Sequence, residues 1–281
     1  MYILEVLKSI VFGIVEGLTE WIPISSTGHM ILLEKFMSFK QVSENFFNIY
    51  LVVIQLGAII AVVVMFWNKL WPFRKKIDEN GKSQIKVNSN IIMLWLKVAV
   101  ATIPAAIIGL LIDDFLDKYL YNYIVVAIAL IVYGILFLIV EKRNQKRIPR
   151  VKKLTQLTFK DALLIGCFQI LAFIPGTSRS GSTILGGIII GTSRRVASEF
   201  TFFLAIPVMF GASFLKLIKM GFSFSTMEFV LLFDGLVTAF AVSMIAIKFL
   251  MGYIKKHNFN AFGIYRIVLG IFVLISFIAS K

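Results

Sequence analysis

Two polar clusters interrupt an otherwise apolar chain. Glu16, Glu20, Ser25, Ser26, Thr27 and His29 form the first, and Gln169, Thr177, Ser178, Arg179, Ser180, Ser182 and Thr183 the second. Glu16 and Glu20 are four residues apart, so a helix sets them on one face, where two like charges need a proton or cation between them. A divalent ion, Mg²⁺ or Ca²⁺, is the natural neutraliser, because hard cations prefer carboxylate and phosphate oxygens. Ser25, Ser26 and Thr27 precede the apolar run that starts at Met30. That is where N-cap residues stand, with free backbone N–H groups and a helix dipole that attract anions. Ser178, Ser180 and Ser182, with Gly181, hold the equivalent place in the second cluster, and Thr183 follows them. Arg179 offers paired donors matched to phosphoryl oxygens; an ion pair with Glu16 or Glu20 is the plainer role. His29, one of two histidines, is the candidate acid or base, against the plainer role of a satisfied buried imidazole.

The two clusters are copies. A shift of 153 positions lays Gly13 on Gly166, Glu16 on Gln169, Ser25 on Ser178 and Gly28 on Gly181, with Pro23 and Pro175 one residue out of step. Such an internal repeat must be accommodated by the fold. Composition then fixes the class: 59% hydrophobic residues and a mean hydropathy of +0.89 exceed what a soluble domain carries, and 16% charged residues fall below it. Apolar runs at 48–67, 91–112, 121–140, 200–218, 229–250 and 262–279 each approach the ~20 residues that cross a ~30 Å hydrocarbon slab. Ionisable groups in such a chain mark a functional site by default. Glu5, Lys8, Glu16 and Glu20 break up the opening stretch, so a removable signal peptide is not expected. The single cysteine, Cys167, excludes an internal disulfide or a cysteine metal cluster and reads as a packing residue.

The formal charge of +14 sits largely in two loops, one with Lys69, Arg74, Lys75, Lys76, Lys82 and Lys86, the other from Lys142 to Lys160. Two spans separate these loops, so they share a side. The positive-inside rule makes that side cytoplasmic, and the short connection holding Asp113, Asp114 and Asp117 falls outside. The charge therefore reports orientation and anionic headgroups, and nucleic acid is not an expected partner. Residues 161–192 must enter and return between the basic loop and Arg194–Arg195, with a break at Pro175–Gly176; residues 1–39 break likewise at Pro23. The expected fold is an all-α polytopic membrane protein made of two inverted-topology repeats, each a re-entrant helical hairpin plus three transmembrane helices. Residues 1–140 form the first repeat, 141–160 a basic linker and 161–281 the second repeat, within one integral membrane domain. Aromatic residues near span ends, Trp67, Trp71, Tyr119, Tyr121 and Tyr123, read as interfacial anchors.

The run Glu16-Gly-Leu-Thr-Glu20-Trp-Ile-Pro-Ile-Ser25-Ser-Thr-Gly-His29, paired with Pro175-Gly-Thr-Ser-Arg179-Ser-Gly181, resembles the bacterial undecaprenyl-diphosphatase family, also called bacitracin-resistance proteins. The likeness spans the chain. It implies a membrane phosphatase that removes the terminal phosphate of undecaprenyl diphosphate, regenerates the carrier for peptidoglycan precursors and confers resistance to bacitracin. It further implies a multi-pass protein of the bacterial inner membrane with its site facing the outer side. Beside that likeness, hydrolysis needs a nucleophile in line with the leaving lipid phosphate. Ser26 is the preferred nucleophile with His29 as its base; Arg179, the helix ends and a metal held by Glu16 and Glu20 stabilise charge, and Glu20 orients the metal or His29. Water activated by the metal–carboxylate pair, or His29 itself, are the alternatives. Ser25, Thr27, Ser178, Ser180 and Thr183 are candidate phosphate contacts. The expected partners are a polyprenyl diphosphate and membrane lipids, with a homodimer left open. The rival class is a transporter, since inverted repeats with broken helices also hold anionic headgroups.

Overall fold

A computed structural model describes residues 2–40, 42–77, 83–120, 122–220 and 224–278. The helices in chain order are α1 (Tyr2–Thr19), α2 (Ser26–Met37), α3 (Phe46–Met65), the single turn α4 (Trp67–Leu70), α5 (Ser89–Tyr119), α6 (Tyr123–Asn144), α7 (Phe159–Ile170), α8 (Arg179–Ile189), α9 (Arg194–Met220), α10 (Thr226–Tyr253) and α11 (Asn260–Ile278). The six runs read from the sequence coincide with α3, α5, α6, α9, α10 and α11, all long and apolar enough to cross a bilayer. The molecule is a multi-pass membrane protein.

Helix α1 has the reverse of a soluble pattern. Its buried face is Glu5, Lys8, Ser9, Phe12, Gly13, Glu16, Gly17 and Thr19, while Tyr2, Ile3, Leu4 and Leu7 are exposed. Apolar solvent removes the hydrophobic drive between helices, so small and polar residues make the contacts instead. Gly13 and Gly17 accordingly lie against α10, where an added Cβ would come within 2.8 Å of the carbonyl oxygens of Gly235 and Ala239. Helix α7, the counterpart of α1 in the 153-residue repeat, packs on α5 in a similar way, with Gly166 against the Ala101 carbonyl.

Helices α6 and α11 pack on each other through crossed contacts. Gly134 faces the Gly263 carbonyl, and Gly270 faces the Ala127 carbonyl. Polar bonds fix the ends of both hairpins. Lys8 bonds Glu5 and the Ser38 carbonyl at 2.8 and 2.7 Å, holding the start of α1 beside the end of α2. Fully buried Glu141, at the end of α6, takes Arg194 Nε at 2.8 Å, so 141 and 194 lie at one end and residues 159–189 run in and back. Glu228, at the start of α10, accepts the Ser43 N–H at 2.7 Å just beyond the first hairpin.

Three expectations are corrected. The basic loop after α4 contains an antiparallel pair, β1 (Phe73–Ile77) and β2 (Ser83–Val87), in register Phe73↔Val87, so the chain is not purely helical. In β2, Ile85, Lys86 and Val87 alternate as a strand with one apolar side does, whereas β1 carries three consecutive cations. The stretch holding Asp113, Asp114 and Asp117 is not a connection, because its backbone continues α5 to Tyr119. No glycine or proline stops the helix there, and a helix need not end where its apolar run ends. Cys167 is exposed and does not pack, since α7 buries Ala162, Ile165, Gly166 and Gln169 on the other side. Lys82 and Tyr121 lie outside the described residues. Among the anchors, Trp67 stacks on Trp71 at 4.9 Å and Tyr123 on Phe277 at 4.5 Å.

Candidate active site

The last turn of α1 carries Glu16 inward. The chain then leaves the helix at Glu20, whose N–H still reaches the Glu16 carbonyl at 3.0 Å, so both carboxylates stay on one side. They are buried, at 2% and 6% exposure. The two oxygens of Glu20 have different partners: Oε2 accepts the Ser26 hydroxyl at 2.8 Å and Oε1 accepts Arg179 Nη2 at 3.2 Å. Arg179 Nη1 donates to the Thr201 carbonyl of α9 at 3.1 Å, and the guanidinium lies 5.6 Å from the Trp21 ring centre. Glu16 Oε1 is buried without a hydrogen-bond partner among the described residues. A buried carboxylate oxygen left so is costly and stands as the open acceptor of the site.

The two breaks are built alike. Ser25 and Ser178 are the N-caps of α2 and α8, with φ of 75° and 71°, the only non-glycine residues at positive φ among those described. Each hydroxyl accepts the N–H three residues on, Gly28 at 3.3 Å and Gly181 at 3.1 Å. A left-handed conformation costs an L residue of order 1–3 kcal/mol and persists only where its surroundings enforce it. Its product here is a backbone turned toward the site. The Ser25 carbonyl accepts from His29 Nδ1 at 2.7 Å, and a carbonyl cannot donate, so the proton sits on Nδ1. His29 Nε2 is left as the accepting nitrogen, facing the Tyr265 hydroxyl at 2.7 Å.

The tips meet directly. Ser180 donates to the Glu20 carbonyl at 3.0 Å. Fully buried Arg266 of α11 donates to the carbonyls of Pro23 at 3.3 Å and of Gly176 and Thr177 at 2.8 Å each, tying both breaks to one side chain.

Glu20, Ser26 and Arg179 are thus joined by direct bonds, with Ser180 on the Glu20 backbone. His29 is linked through Ser25 and Tyr265; the Ser26 proton goes to Glu20 and not to the histidine. Ser26 is the first residue of α2, and helical side chains lean toward the N-terminus, which carries its hydroxyl back to the break. The Ser25 and Ser178 hydroxyls accept the capping N–H groups, and Ser178 Oγ also lies 3.1 Å from Ser180 Oγ. Thr183 donates to the Arg179 carbonyl at 2.9 Å and accepts from Thr201 at 2.9 Å. Ser26, Thr27 and His29 are half-buried, so the first turn of α2 is the open side of the cluster.

Sequence reasoning passed over Tyr265, Arg266 and Thr201. For Arg266 a signal existed, a charge inside an apolar span, the same signal that singles out Glu16. Tyr265 carries none, since a tyrosine on a membrane helix reads as packing. Replacing Tyr265 by Phe removes the donor to His29 Nε2 and is expected to lower the turnover number about fivefold with little change in KM, one neutral hydrogen bond being worth about 1 kcal/mol. Steady-state kinetics of the variant measures it, and a changed KM alone would assign Tyr265 to binding.

A family model for the bacitracin resistance protein BacA matches residues 9–272, which include both breaks and Arg266. An undecaprenyl-diphosphatase of Acetivibrio thermocellus is 57% identical over 278 residues, 99% of this chain and 100% of the relative. One of Enterococcus faecalis is 56% identical over 272 residues, 97% of each chain. Undecaprenyl-diphosphatase 1 of Clostridioides difficile is 54% identical over 275 residues, 98% of this chain and 97% of the relative. With more than half of the residues shared over nearly the whole length, and the family model covering both polar clusters, the chain belongs to the bacitracin resistance protein BacA family.

Proposed function

We propose that the chain is a membrane phosphatase that hydrolyses undecaprenyl diphosphate to undecaprenyl phosphate and inorganic phosphate, the activity named in its relatives. The observation that carries a hydrolytic reading is the Ser26–Glu20–Arg179 chain, in which a hydroxyl, its proton acceptor and a phosphate-binding cation share one carboxylate. Transport alone requires no such pairing.

Ser26 Oγ attacks the terminal phosphorus as its proton passes to Glu20. The bridging P–O bond breaks and undecaprenyl phosphate leaves; water then hydrolyses the phosphoserine to free phosphate and restores Ser26. Glu20 holds Arg179 at the site. On entry of the diphosphate, the guanidinium turns its donors to the phosphoryl oxygens, where charge develops in the transition state. His29, with Nε2 as its accepting nitrogen, sits at the open end to exchange a proton with water or with the leaving phosphate. Arg179→Lys keeps the charge but loses the fork, and is expected to lower kcat/KM roughly 10²–10³-fold. Unchanged kcat/KM would remove the clamp.

A divalent cation, Mg²⁺ or Ca²⁺, fits part of this donor set. Glu16 offers an unpartnered buried oxygen, whereas both Glu20 oxygens already have partners, and two carboxylates leave most of the coordination to substrate oxygens and water. When bound, such an ion supplies positive charge to the phosphoryl oxygens.

The reading includes two inverted repeats, residues 1–140 and 161–281 about a basic linker. Its support is the exchange of partners, α1 on α10 and α7 on α5, the crossed glycine contacts of α6 and α11, and the matching caps at Ser25 and Ser178. Ser43–Glu228 and Glu141–Arg194 lie at opposite ends of α9 and α10, which favours hairpins that open to opposite sides. With the basic loops cytoplasmic, the first hairpin opens outward from a bacterial plasma membrane, and the product returns to peptidoglycan synthesis as its lipid carrier.

Phosphate release from a C55 lipid diphosphate by purified protein in detergent, with and without a chelator, tests the reading. Release without any ion gradient is expected; binding without release would leave a transporter.

A further inference from the structure

Away from the catalytic cluster, a cavity of about 240 Å³ opens between the start of α5, the turn α4, strand β1 and the linker before α7. Lys69, Arg74, Lys97, Asn88 and Asn90 line it, and none of its lining among the described residues is acidic. Lys97 lies about 12 Å along α5 from Ser89, at 1.5 Å per residue. It is only 7% exposed. Side chains on a helix lean toward its N-terminus, so the Lys97 ammonium rises toward Asn88 and Asn90, and its stem lies along apolar surface.

Two nearby acids among the described residues are already engaged. Glu199 takes Lys69 at 2.8 Å and Arg195 at 3.0 Å. Asp161, whose charge Lys97 feels, holds Arg150 at 2.5 Å and accepts the Thr158 N–H at 3.0 Å. Arg74 donates to the Asn68 carbonyl, which brings no charge. Among the described residues, the cavity therefore has the positive charges of Arg74 and Lys97 and no carboxylate in its own lining. The N–H groups of Asn90 and Ile91 at the start of α5 are taken by Asn88, through its Oδ1 and its carbonyl at 3.1 Å each, so the polar donors this end offers the cavity are the side-chain amides of Asn88 and Asn90. A largely buried lysine without a carboxylate partner is expensive unless an anion joins it.

We propose that this cavity is a second phosphate site, separate from the catalytic cluster, which takes a phosphate monoester. Two cations and the side-chain amides of Asn88 and Asn90 match a group bearing close to two negative charges, and the volume suits one headgroup. The group is supplied either by an anionic lipid headgroup or by a soluble phosphate.

Native mass spectrometry of the purified full chain, titrated with phosphatidic acid and separately with phosphatidylcholine, tests the site. Phosphatidic acid is expected to be retained over phosphatidylcholine, and Lys97→Met and Arg74→Gln are each expected to weaken that retention about fivefold, the loss per lysine or arginine facing anionic lipid. Phosphate release is expected to stay at the wild-type rate in both variants. Arg74 is exposed, so its replacement leaves a folded protein even where Lys97→Met does not. If millimolar inorganic phosphate displaces phosphatidic acid, the site serves a soluble phosphate; if it does not, the site serves a lipid headgroup. Equal retention of the two lipids, or wild-type retention in the Arg74 variant, overturns the proposal.

Discussion

Glu20→Gln is expected to lower phosphate release roughly 10²–10⁴-fold, the range for loss of a positioned general base. The carboxamide has the shape of the carboxylate and can still accept from Arg179 or Ser26, but not at both partners with charge, and it cannot take the Ser26 proton. Breaking one partner of a buried ion pair strands the other, at about 3–5 kcal/mol in full burial. Arg179 retains the Thr201 carbonyl and the Trp21 face, and its side chain is 11% exposed, so the cost falls below that range and the helices persist. Circular dichroism and elution volume should match wild type while activity is lost. A rate within tenfold of wild type would take the proton acceptor away from Glu20.

Ser26→Ala is expected to remove at least about 10³-fold of the rate, as loss of a nucleophile does elsewhere. Ser26 is half-buried at the first turn of α2 and its hydroxyl makes one bond, to Glu20. Stability should therefore fall by only about 1 kcal/mol. Rapid quenching with a substrate labelled in the terminal phosphate should trap a phosphoprotein in the wild type and none in the variant. Near-normal turnover by Ser26→Ala would move the attack to water or to His29. The two variants differ in a second respect: Glu20→Gln should keep a slow burst of labelled protein, because its nucleophile remains.

Much of this arrangement was legible in the chain. The spacing of Glu16 and Glu20 put them on one face, the 153-residue repeat matched Ser25 to Ser178, and the six apolar runs became six helices at those places. These are local or periodic properties, fixed by helical pitch, capping chemistry and hydrocarbon thickness. The basic loop after α4 was legible as charge but not as a β-hairpin, since the consecutive cations Arg74, Lys75 and Lys76 show no strand-like alternation and read as a solvated loop. The end of α5 was misplaced because apolar length measures the membrane and not the helix.

Partnership was beyond the chain's reach. The Ser26 hydroxyl lies six residues from Glu20 and three from His29, and sequence distance favoured the histidine; the rotation of α2 after a left-handed Ser25 gave the proton to the carboxylate instead. Arg266 stands 243 positions from Pro23 and 90 from Gly176, and only the packing of α11 beside both breaks brings those carbonyls within reach of one guanidinium. The sequence by itself determined the class, the spans, the repeated broken tips and the residue types gathered there, because each follows from periodicity and the cost of polar groups in hydrocarbon. The tertiary structure alone decided which hydroxyl meets which carboxylate, that Tyr265 faces His29, and that Arg74 and Lys97 share one cavity. Those pairings depend on the rotation and depth of helices far apart in the chain, which no local pattern encodes.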